Sequence, residues 1–334
     1  MKQVEIRQLQ RKRLIWTGVF VVYALSISSC SVPQHAAQSG PPPAFQYLGE
    51  WGTAGTAPGQ LQNPQSLSSD GTGNIYIADD GKPPQVEKFE PTGHPLLVFD
   101  MGGNRNSWDI AVDAGNAIFV VDEAVAQVQI FSPEGEVFRT LAFRYRSALN
   151  RPSSIAIEPD GEFYLADCSG GRLARMYPRG RILQSWGKPA GLPAKRWTPC
   201  QVRLGTDSNL YVADADNQRI EKLSPEASYI SSWAFPFSSL GSNRAGPKPC
   251  GLAVSRDFVV ATDEAKRLLG IWTLNGQPEL TVDFAQHPEW GQNASPTDVV
   301  FTPKGELLVL DRINKHVLRF RINIRNTGSS SPIR

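Results

Sequence analysis

IYIAD (Ile75–Asp79) is the first of six short apolar runs that each end in aspartate, and these runs decide the fold. The other five are IFVVD (Ile118–Asp122), FYLAD (Phe163–Asp167), LYVAD (Leu210–Asp214), VVATD (Val259–Asp263) and LLVLD (Leu307–Asp311). Successive aspartates are 43, 45, 47, 49 and 48 residues apart. Repeats of this length that each contain four strand-like runs are typical of a β-propeller.

Each repeat contains the parts of one four-stranded antiparallel sheet. An inner run often begins with proline, as in RPSSI (Arg151–Ile155), because proline cannot donate to a strand ladder. A turn such as EPDGE (Glu158–Glu162) leads to the run that ends in aspartate. A third run and a second turn, PRG (Pro178–Gly180), lead to an outer run such as ILQSWG (Ile182–Gly187). The sequence therefore predicts an all-β fold built of four-stranded blades.

The last repeat has no outer strand of its own, and a matching strand stands before the first repeat. After Phe320 there is no second turn, whereas YLGEWG (Tyr47–Gly52) has the outer-strand pattern. Closing the ring in this way removes exposed sheet edges. We therefore expect a six-bladed β-propeller over residues 45–323, closed by an N-terminal outer strand and followed by a polar tail, residues 324–334.

The repeats resemble the NHL repeat family. YVADADNQRIEKL (Tyr211–Leu223) has Asp214, Asn217 and Arg219 in the family's spacing, and GEWGTAGTAPGQLQNP (Gly49–Pro64) is similar to its lead-in. The resemblance implies an NHL-type β-propeller. It says little about activity, because one fold serves many functions.

The first 29 residues have the composition of a signal peptide. The basic RKR (Arg11–Arg13) precedes an uncharged run, residues 14–29, that is shorter than the ~20 residues needed to span a bilayer. ISSC (Ile27–Cys30) resembles the bacterial lipobox, which implies lipidation of Cys30; an uncleaved anchor or an ordinary secretory signal is the alternative. Residues 30–44 then form a Pro-rich tether. We expect a bacterial envelope protein, lipid-anchored outside the cytoplasm, in the outer membrane if the host is Gram-negative.

The charge of the chain argues against a nucleic-acid partner. The formal net charge is +2, but residues 1–29 hold five basic residues and one acidic residue. The remaining chain has 29 basic and 31 acidic residues, which gives a net charge of −2. A nearly neutral surface without a basic run does not favour nucleic-acid binding.

Three cysteines remain besides Cys30. Cys200 and Cys250 occupy the same position in blades four and five, and Cys168 follows the aspartate of blade three. All three are therefore expected on one face, in a compartment that permits disulfides. We expect one disulfide, Cys200 with Cys168 or with Cys250; three buried thiols are the alternative.

The same face surrounds the mouth of the central channel, where propellers usually gather functional groups. The candidate binding residues there are Trp108, Asp109, Gln201, Asp298, Glu123 and Glu264. Asp109, Asp298 and Gln201 can offer oxygen ligands to a divalent cation, as similarity to six-bladed lactonases of the gluconolactonase type implies; capping of turns is the alternative. Trp108, Trp197 and Trp290 fall in loops near this face and are candidates for exposed aromatic anchors.

The six aspartates that end the second runs have a simpler interpretation than metal binding. A carboxylate at a strand end accepts hydrogen bonds from backbone N–H groups of the following turn. We therefore expect these marker aspartates to be structural; they are Asp79, Asp122, Asp167, Asp214, Asp263 and Asp311.

The sequence offers few catalytic groups. Its histidines are His35, His94, His287 and His316, and only His287 is expected in a channel-face loop. Peptide-amidating lyases, which are similar six-bladed propellers, hold zinc with histidines, and a zinc site needs about three protein ligands. The histidines of this chain therefore do not favour such a lyase. No catalytic residue is assigned and no cofactor is predicted. The leading interpretation is a binding or scaffold protein for a protein, peptide or glycan; the alternative is a metal-dependent hydrolase, lactonase or lyase.

Overall fold

The computed structural model describes residues 44–102, 107–143, 149–235 and 250–324, without the side chains of Ser107 and Trp108. The expectations for the signal peptide, for Cys30, for the tether before Ala44 and for residues 325–334 lie outside this part. Within it, no helix is long and apolar enough to cross a membrane.

Six four-stranded antiparallel sheets make up the described chain, which confirms the prediction of an all-β, six-bladed propeller. Blade 1 consists of β2 (Pro64–Ser69), β3 (Ile75–Asp79), β4 (Gln85–Phe89) and β5 (Pro95–Asp100). Blade 2 consists of β6 (Ser107–Val112), β7 (Ile118–Asp122), β8 (Gln127–Phe131) and β9 (Val137–Ala142). Blade 3 consists of β10 (Ser154–Ile157), β11 (Phe163–Asp167), β12 (Arg172–Met176) and β13 (Ile182–Trp186).

The other three blades follow the same order. Blade 4 consists of β14 (Pro199–Leu204), β15 (Leu210–Asp214), β16 (Arg219–Leu223) and β17 (Tyr229–Ala234). Blade 5 consists of β18 (Gly251–Val254), β19 (Phe258–Asp263), β20 (Leu268–Thr273) and β21 (Pro278–Asp283). Blade 6 consists of β22 (Pro296–Phe301), β23 (Glu306–Asp311), β24 (His316–Ile322) and the N-terminal β1 (Phe45–Trp51). Two short 3-10 helices, Phe284–Gln286 and Pro288–Trp290, connect blades 5 and 6.

The N-terminal strand closes the ring as the repeat pattern predicts. β1 pairs antiparallel with β24, with Tyr47 opposite Phe320 and Trp51 opposite Val317. The backbone N–H of Asn323 donates to the carbonyl of Ala44 at 2.8 Å. Blade 6 therefore joins the two ends of the described chain by main-chain hydrogen bonds.

The direction of the strands assigns every loop to one of two faces. Inner strands begin where second strands end, as the pairing of Pro64 with Asp79 shows. We call this side the marker face. The opposite side carries the turns between first and second strands and between third and fourth strands, and we call it the turn face. Outer strands begin on the turn face. The chain therefore enters the ring from the turn face, at Ala44.

The core lies between neighbouring blades. Leu67 and Ile75 of blade 1 pack with Leu308 and Val317 of blade 6 in one cluster of buried side chains. Every residue of β3 (Ile75–Asp79) is buried, because a blade covers each side of the second strand. Each blade thus depends on its neighbours, and the ring presents a fixed frame to the channel.

Candidate functional site

The marker aspartates hold the loops of the marker face. Asp79 accepts hydrogen bonds from the backbone N–H groups of Gln62 (2.6 Å) and Asn63 (2.7 Å), before the inner strand, and of Gly81 (2.9 Å), after the second strand. Each of the other five carboxylates also accepts at least one backbone N–H in this region. These contacts use the carboxylate oxygens that a calcium site would need.

Six residues of the inner strands form one level of the channel, which we call the channel tier. Each is paired with the residue that precedes a marker aspartate on the second strand. The channel tier consists of Ser66, Asp109, Ser154, Gln201, Gly251 and Asp298, in blade order. The structure therefore brings the predicted residues Asp109, Gln201 and Asp298 to the same level of one channel.

Asp109 is the most heavily bonded side chain of the channel tier. It is fully buried and forms a two-pronged ion pair with Arg203 of blade 4, at 2.8 and 3.0 Å. It also accepts from the hydroxyl of Ser154 (2.6 Å) and from the backbone N–H of Ile155 (3.0 Å), and the hydroxyl oxygen of Ser66 lies 3.0 Å away. One carboxylate of blade 2 thus binds groups of blades 1, 3 and 4.

Asp298 is equally buried but receives only neutral donors. Its carboxylate accepts from the hydroxyl of Ser66 at 2.7 Å and from the backbone N–H groups of Leu67 (3.1 Å) and Val299 (2.9 Å). Burial and the nearby charge of Asp109 raise the pKa of Asp298 to about 6, against the opposing effect of Arg203. Burial alone would lower the pKa of Arg203, but Asp109 and Asp298 outweigh it and raise that pKa.

These residues do not fit a divalent cation. The two oxygens of Asp109 face the guanidinium of Arg203, which holds the positive charge that a metal would otherwise supply. The Asp109 carboxylate is already filled with N–H and O–H donors, and Asp298 faces backbone N–H groups, whereas a hard cation requires several free oxygen ligands. The Asp109–Arg203 pair, with the serines and Asp298, instead joins the blades.

Gln201 differs from the other members of the channel tier. Its side chain is buried, and its Oε1 has no hydrogen-bond partner among the described residues. Gly251 follows it around the ring, and there blades 5 and 6 meet closely. A Cβ added at Gly251 would lie 2.5 Å from Thr262 Oγ1 and 2.8 Å from the Cα of Asp298. Gln201 and Gly251 are therefore two adjacent tier residues that carry no charge.

Ion pairs above the channel tier connect neighbouring blades. Glu264 of blade 5 pairs with Arg312 of blade 6 at 2.5 Å, and Arg312 also donates to Gln65 of blade 1 at 3.1 Å. Glu123 of blade 2 is buried near Arg151 of blade 3, at 3.5 Å, and burial raises the pKa of Glu123. The predicted acidic residues of the rim thus have basic partners, while the Trp108 side chain lies outside the described residues.

A disulfide lies at the mouth of the channel. It joins Cys168, in the marker-face loop of blade 3, to Cys200 at the start of the inner strand of blade 4. Cys250 is a free thiol whose Sγ lies 3.5 Å from the carbonyl of Thr262, and burial raises its pKa to about 11. Of the two pairings that the sequence left open, the structure has Cys168 with Cys200.

The expectation of exposed tryptophans is wrong for Trp197 and Trp290. Trp197 is buried and donates its indole N–H to Glu221 at 2.6 Å. Trp290 is buried against Phe320 and stacks on His287 at 3.8 Å between ring centres. The connecting loops fold back over the blade edges, so their aromatic residues add to the core.

Sequence reasoning missed Arg203. It stands two residues after Gln201, so its side chain also faces the channel. The corresponding residues of the other blades are small or aliphatic, namely Ser68, Ala111, Ala156, Ala253 and Val300. A single arginine among these residues was the available signal, and it pointed to a partner for the predicted carboxylates.

Comparison with known proteins identifies the fold and leaves the family open. No family model matches the chain. The chain is 25% identical over 142 residues to the human E3 ubiquitin-protein ligase TRIM32. The match covers 38% of the chain and 21% of TRIM32, so it spans about a fifth of that relative's length.

Solved structures share the propeller over most of the chain. A streptogramin B lyase has a TM-score of 0.61 at 15% identity, over 84% of this chain and 98% of the lyase. A catalytically inactive virginiamycin B lyase from Staphylococcus aureus with quinupristin has a TM-score of 0.58 at 14% identity, over 84% and 90%. The hydrazine synthase of Kuenenia stuttgartiensis has a TM-score of 0.57 at 12% identity, over 79% and 97%. At these identities the likeness shows a shared β-propeller fold and nothing more specific.

Proposed function

We propose that this protein is a binding or scaffold protein of the bacterial envelope, held by a lipid on Cys30. Its marker face binds a protein, peptide or glycan. The observation that carries the proposal is the closed set of contacts in the channel tier. Asp109, Arg203 and Asp298 bind one another directly or through Ser66, so the channel's charges serve the frame rather than a substrate.

The geometry supports a rigid platform. A buried ion pair whose remaining hydrogen-bonding positions are filled fixes the arrangement of the groups that it joins. Here these groups belong to blades 1, 2, 3, 4 and 6. The loops above such a frame keep their relative positions, which lowers the entropy that binding a partner would cost.

The path of the chain favours the marker face as the binding face. The described chain enters the ring at Ala44 on the turn face, where it pairs with Asn323. The chain that would carry the proposed anchor therefore connects to the ring at Ala44, on the turn face. Loops such as that of Ile313, whose side chain is 54% exposed, remain accessible on the marker face.

Site-specific crosslinking in intact envelopes tests the proposal. A photo-crosslinking amino acid at Ile313 on the marker face should capture a partner, and the same amino acid at the exposed Thr92 of the turn face should not. In parallel, Cys30→Ala should abolish lipid labelling and membrane attachment. Equal capture from both positions would refute the binding face, and lipid labelling of the Cys30→Ala variant would refute the anchor.

The alternative is an enzyme, and the likeness to streptogramin-type lyases is what favours it. The test is incubation with quinupristin, followed by mass spectrometry for ring opening. We expect no turnover, because the inactive virginiamycin B lyase has alanine in place of a histidine, and the six residues of the channel tier include no histidine. Turnover that Asp298→Asn abolishes would replace the binding proposal with a lyase.

Elemental analysis addresses the metal-dependent hydrolase or lactonase. We expect no stoichiometric divalent metal, because the Asp109 carboxylate already binds Arg203. A bound metal that is lost on Asp109→Ala would favour the enzyme and justify a screen of lactones and esters.

A further inference from the structure

Neighbouring blades meet at their outer edges through a repeated contact. The last large apolar residue of one outer strand packs against a turn glycine of the next blade. The pairs are Trp51 with Gly93, Phe99 with Gly135, Leu141 with Gly180 and Trp233 with Gly276. At each glycine an added Cβ would lie 2.3 to 2.5 Å from that side chain. The missing Cβ therefore lets the side chain close over the turn.

The seam between blades 3 and 4 departs from this pattern. Trp186 occupies the outer-strand position, but the turn of blade 4 has Ala227 where the other turns have glycine. Ala227 has a left-handed φ of 55° and is buried among the side chains against which Trp186 packs. The Cβ of Ala227 takes the space that the outer-strand side chain fills at the other four seams. At this seam lies a groove of about 400 Å³, lined by residues 186–190 and 226–229.

The groove offers aromatic and apolar surface between two blades. Trp186 and Tyr229 are half-buried and line it, with Ala190 exposed beside them. Three of its polar side chains have partners within the chain. Lys188 Nζ donates to the Leu192 carbonyl at 3.2 Å, Glu226 accepts from Ser224 Oγ at 2.9 Å, and the Tyr229 hydroxyl bonds Ser232 Oγ at 3.0 Å. Proline-rich peptides dock into aromatic-lined grooves as a preformed polyproline II helix, so this lining fits such a peptide.

The chain carries a segment of this chemistry, Pro41–Pro43. Pro43 directly precedes Ala44, and three extended residues reach only about 10 Å. Three residues are therefore too few to cross the ring from Ala44, at blade 6, to the seam between blades 3 and 4. A copy's own segment cannot fill its own groove, but the segment of a second copy can.

We propose that the Trp186–Tyr229 groove binds the proline segment, Pro41–Pro43, of a neighbouring copy. Anchored copies would then associate side by side, each blade 6 against the seam between blades 3 and 4 of the next. This contact is head-to-tail, so it can extend into rows or close into rings. The proposal concerns the outer edge of the ring and stands independently of the marker-face function.

The test measures binding of a synthetic peptide of residues 36–44 to the full chain in detergent. The receptor carries Pro41→Ser, Pro42→Ser and Pro43→Ser, so that its own segment does not compete. We expect saturable binding, followed by tryptophan fluorescence and calorimetry, that weakens at least tenfold in Trp186→Ala. Trp233→Ala is the matched control, since it removes the equivalent ring from the next seam, and it should bind as the parent does.

A second variant distinguishes a loss of binding from a loss of folding. Ala227→Gly removes one methyl group, lets Trp186 close over the turn as in the other seams, and should weaken binding while the far-ultraviolet spectrum stays unchanged. The proposal is overturned if the peptide does not bind, if a peptide with alanine in place of proline binds equally, or if Trp233→Ala weakens binding as much as Trp186→Ala. Preferential binding of an envelope glycan to the groove would also overturn it.

Discussion

Asp109 and Asp298 occupy the same position in blades 2 and 6, but they have different hydrogen-bond partners. Both are buried, and the Ser66 hydroxyl, which has a single hydrogen, lies within hydrogen-bond distance of both. Only Asp109 pairs with a cation, because Arg203 approaches it from blade 4. Asp298 has backbone N–H groups and a hydroxyl instead.

This difference divides the channel into an ionic side and a side that can take up a proton. A buried carboxylate with a guanidinium partner keeps its charge, whereas one with neutral donors gains from protonation. The raised pKa of Asp298, to about 6, follows from burial and from the nearby Asp109 carboxylate. The repeat therefore fixes where a side chain stands, and the neighbouring blades decide its charge.

Removing the guanidinium of Arg203 should cause the largest loss of stability. Arg203→Met leaves Asp109 buried without its partner, and breaking a buried ion pair in this way costs about 3–5 kcal/mol. We expect a loss of this size in the free energy of unfolding, measured in urea at neutral pH. Asp109→Asn in the Arg203→Met background should restore part of it.

The matched control is an arginine that pairs outside the channel. Arg175 contacts Glu158 and Glu162 at 2.6 and 2.8 Å, with its side chain 25% exposed. Partly exposed pairs contribute about 0–1 kcal/mol, so Arg175→Met should have a small effect. Equal losses for Arg203→Met and Arg175→Met would contradict the ionic role of Arg203.

Replacing each aspartate by asparagine compares the contributions of Asp109 and Asp298 to stability directly. At about pH 8, Asp109→Asn leaves Arg203 with a buried charge and should cost about 2–4 kcal/mol. Asp298→Asn removes a charge that has no cationic partner and should cost about 1 kcal/mol or less. The measurement is urea unfolding of both variants at the same pH. A reversed order would mean that Arg203 serves Asp298 more than Asp109.

The repeat pattern was sufficient to predict the ring, the blade count and its closure. The six second strands, such as Ile75–Asp79, are buried on both sides, so their sequences are continuous and apolar and stand out. The N-terminal strand was visible because Tyr47–Gly52 repeats an outer-strand pattern. Local sequence carries this information, since each blade repeats the same short contacts.

The channel was only partly predictable, because its contacts join residues that are far apart in sequence. The pair Asp109–Arg203 spans 94 positions, and no period relates an aspartate in one blade to an arginine in another. The expectation that Trp197 is exposed was wrong for a similar reason. Its loop folds back onto Glu221, and nothing in the loop's own sequence marks that contact. Repeats predict positions, but they do not predict partners across blades.

The proton-binding side should be visible as a pH dependence of stability. The pKa of Asp298 rises from 3.8 to about 6 on folding, so protonation stabilises the folded protein at low pH. That stability is lost as the pH rises through about 6. Asp298→Asn cannot take up this proton. The wild type should therefore gain about 1.5 kcal/mol over the variant between about pH 8 and pH 5. If the difference in stability between the wild type and Asp298→Asn does not change with pH, the folded-state pKa of Asp298 lies near its unfolded value.

The smallest effect should come from the hydroxyl that joins the two sides. Ser66 Oγ lies 3.0 Å from Asp109 and 2.7 Å from Asp298, whereas Ser154 Oγ contacts only Asp109 of the two, at 2.6 Å. Ser66→Ala and Ser154→Ala should each cost about 1 kcal/mol. Only Ser66→Ala should change the pH dependence that Asp298 confers, because it removes a donor to the charged form and raises the pKa of Asp298 further. Urea titrations of both variants, alone and with Asp298→Asn, measure this coupling. Equal coupling of the two serines to Asp298 would show that the carboxylates respond as one unit, without two distinct sides.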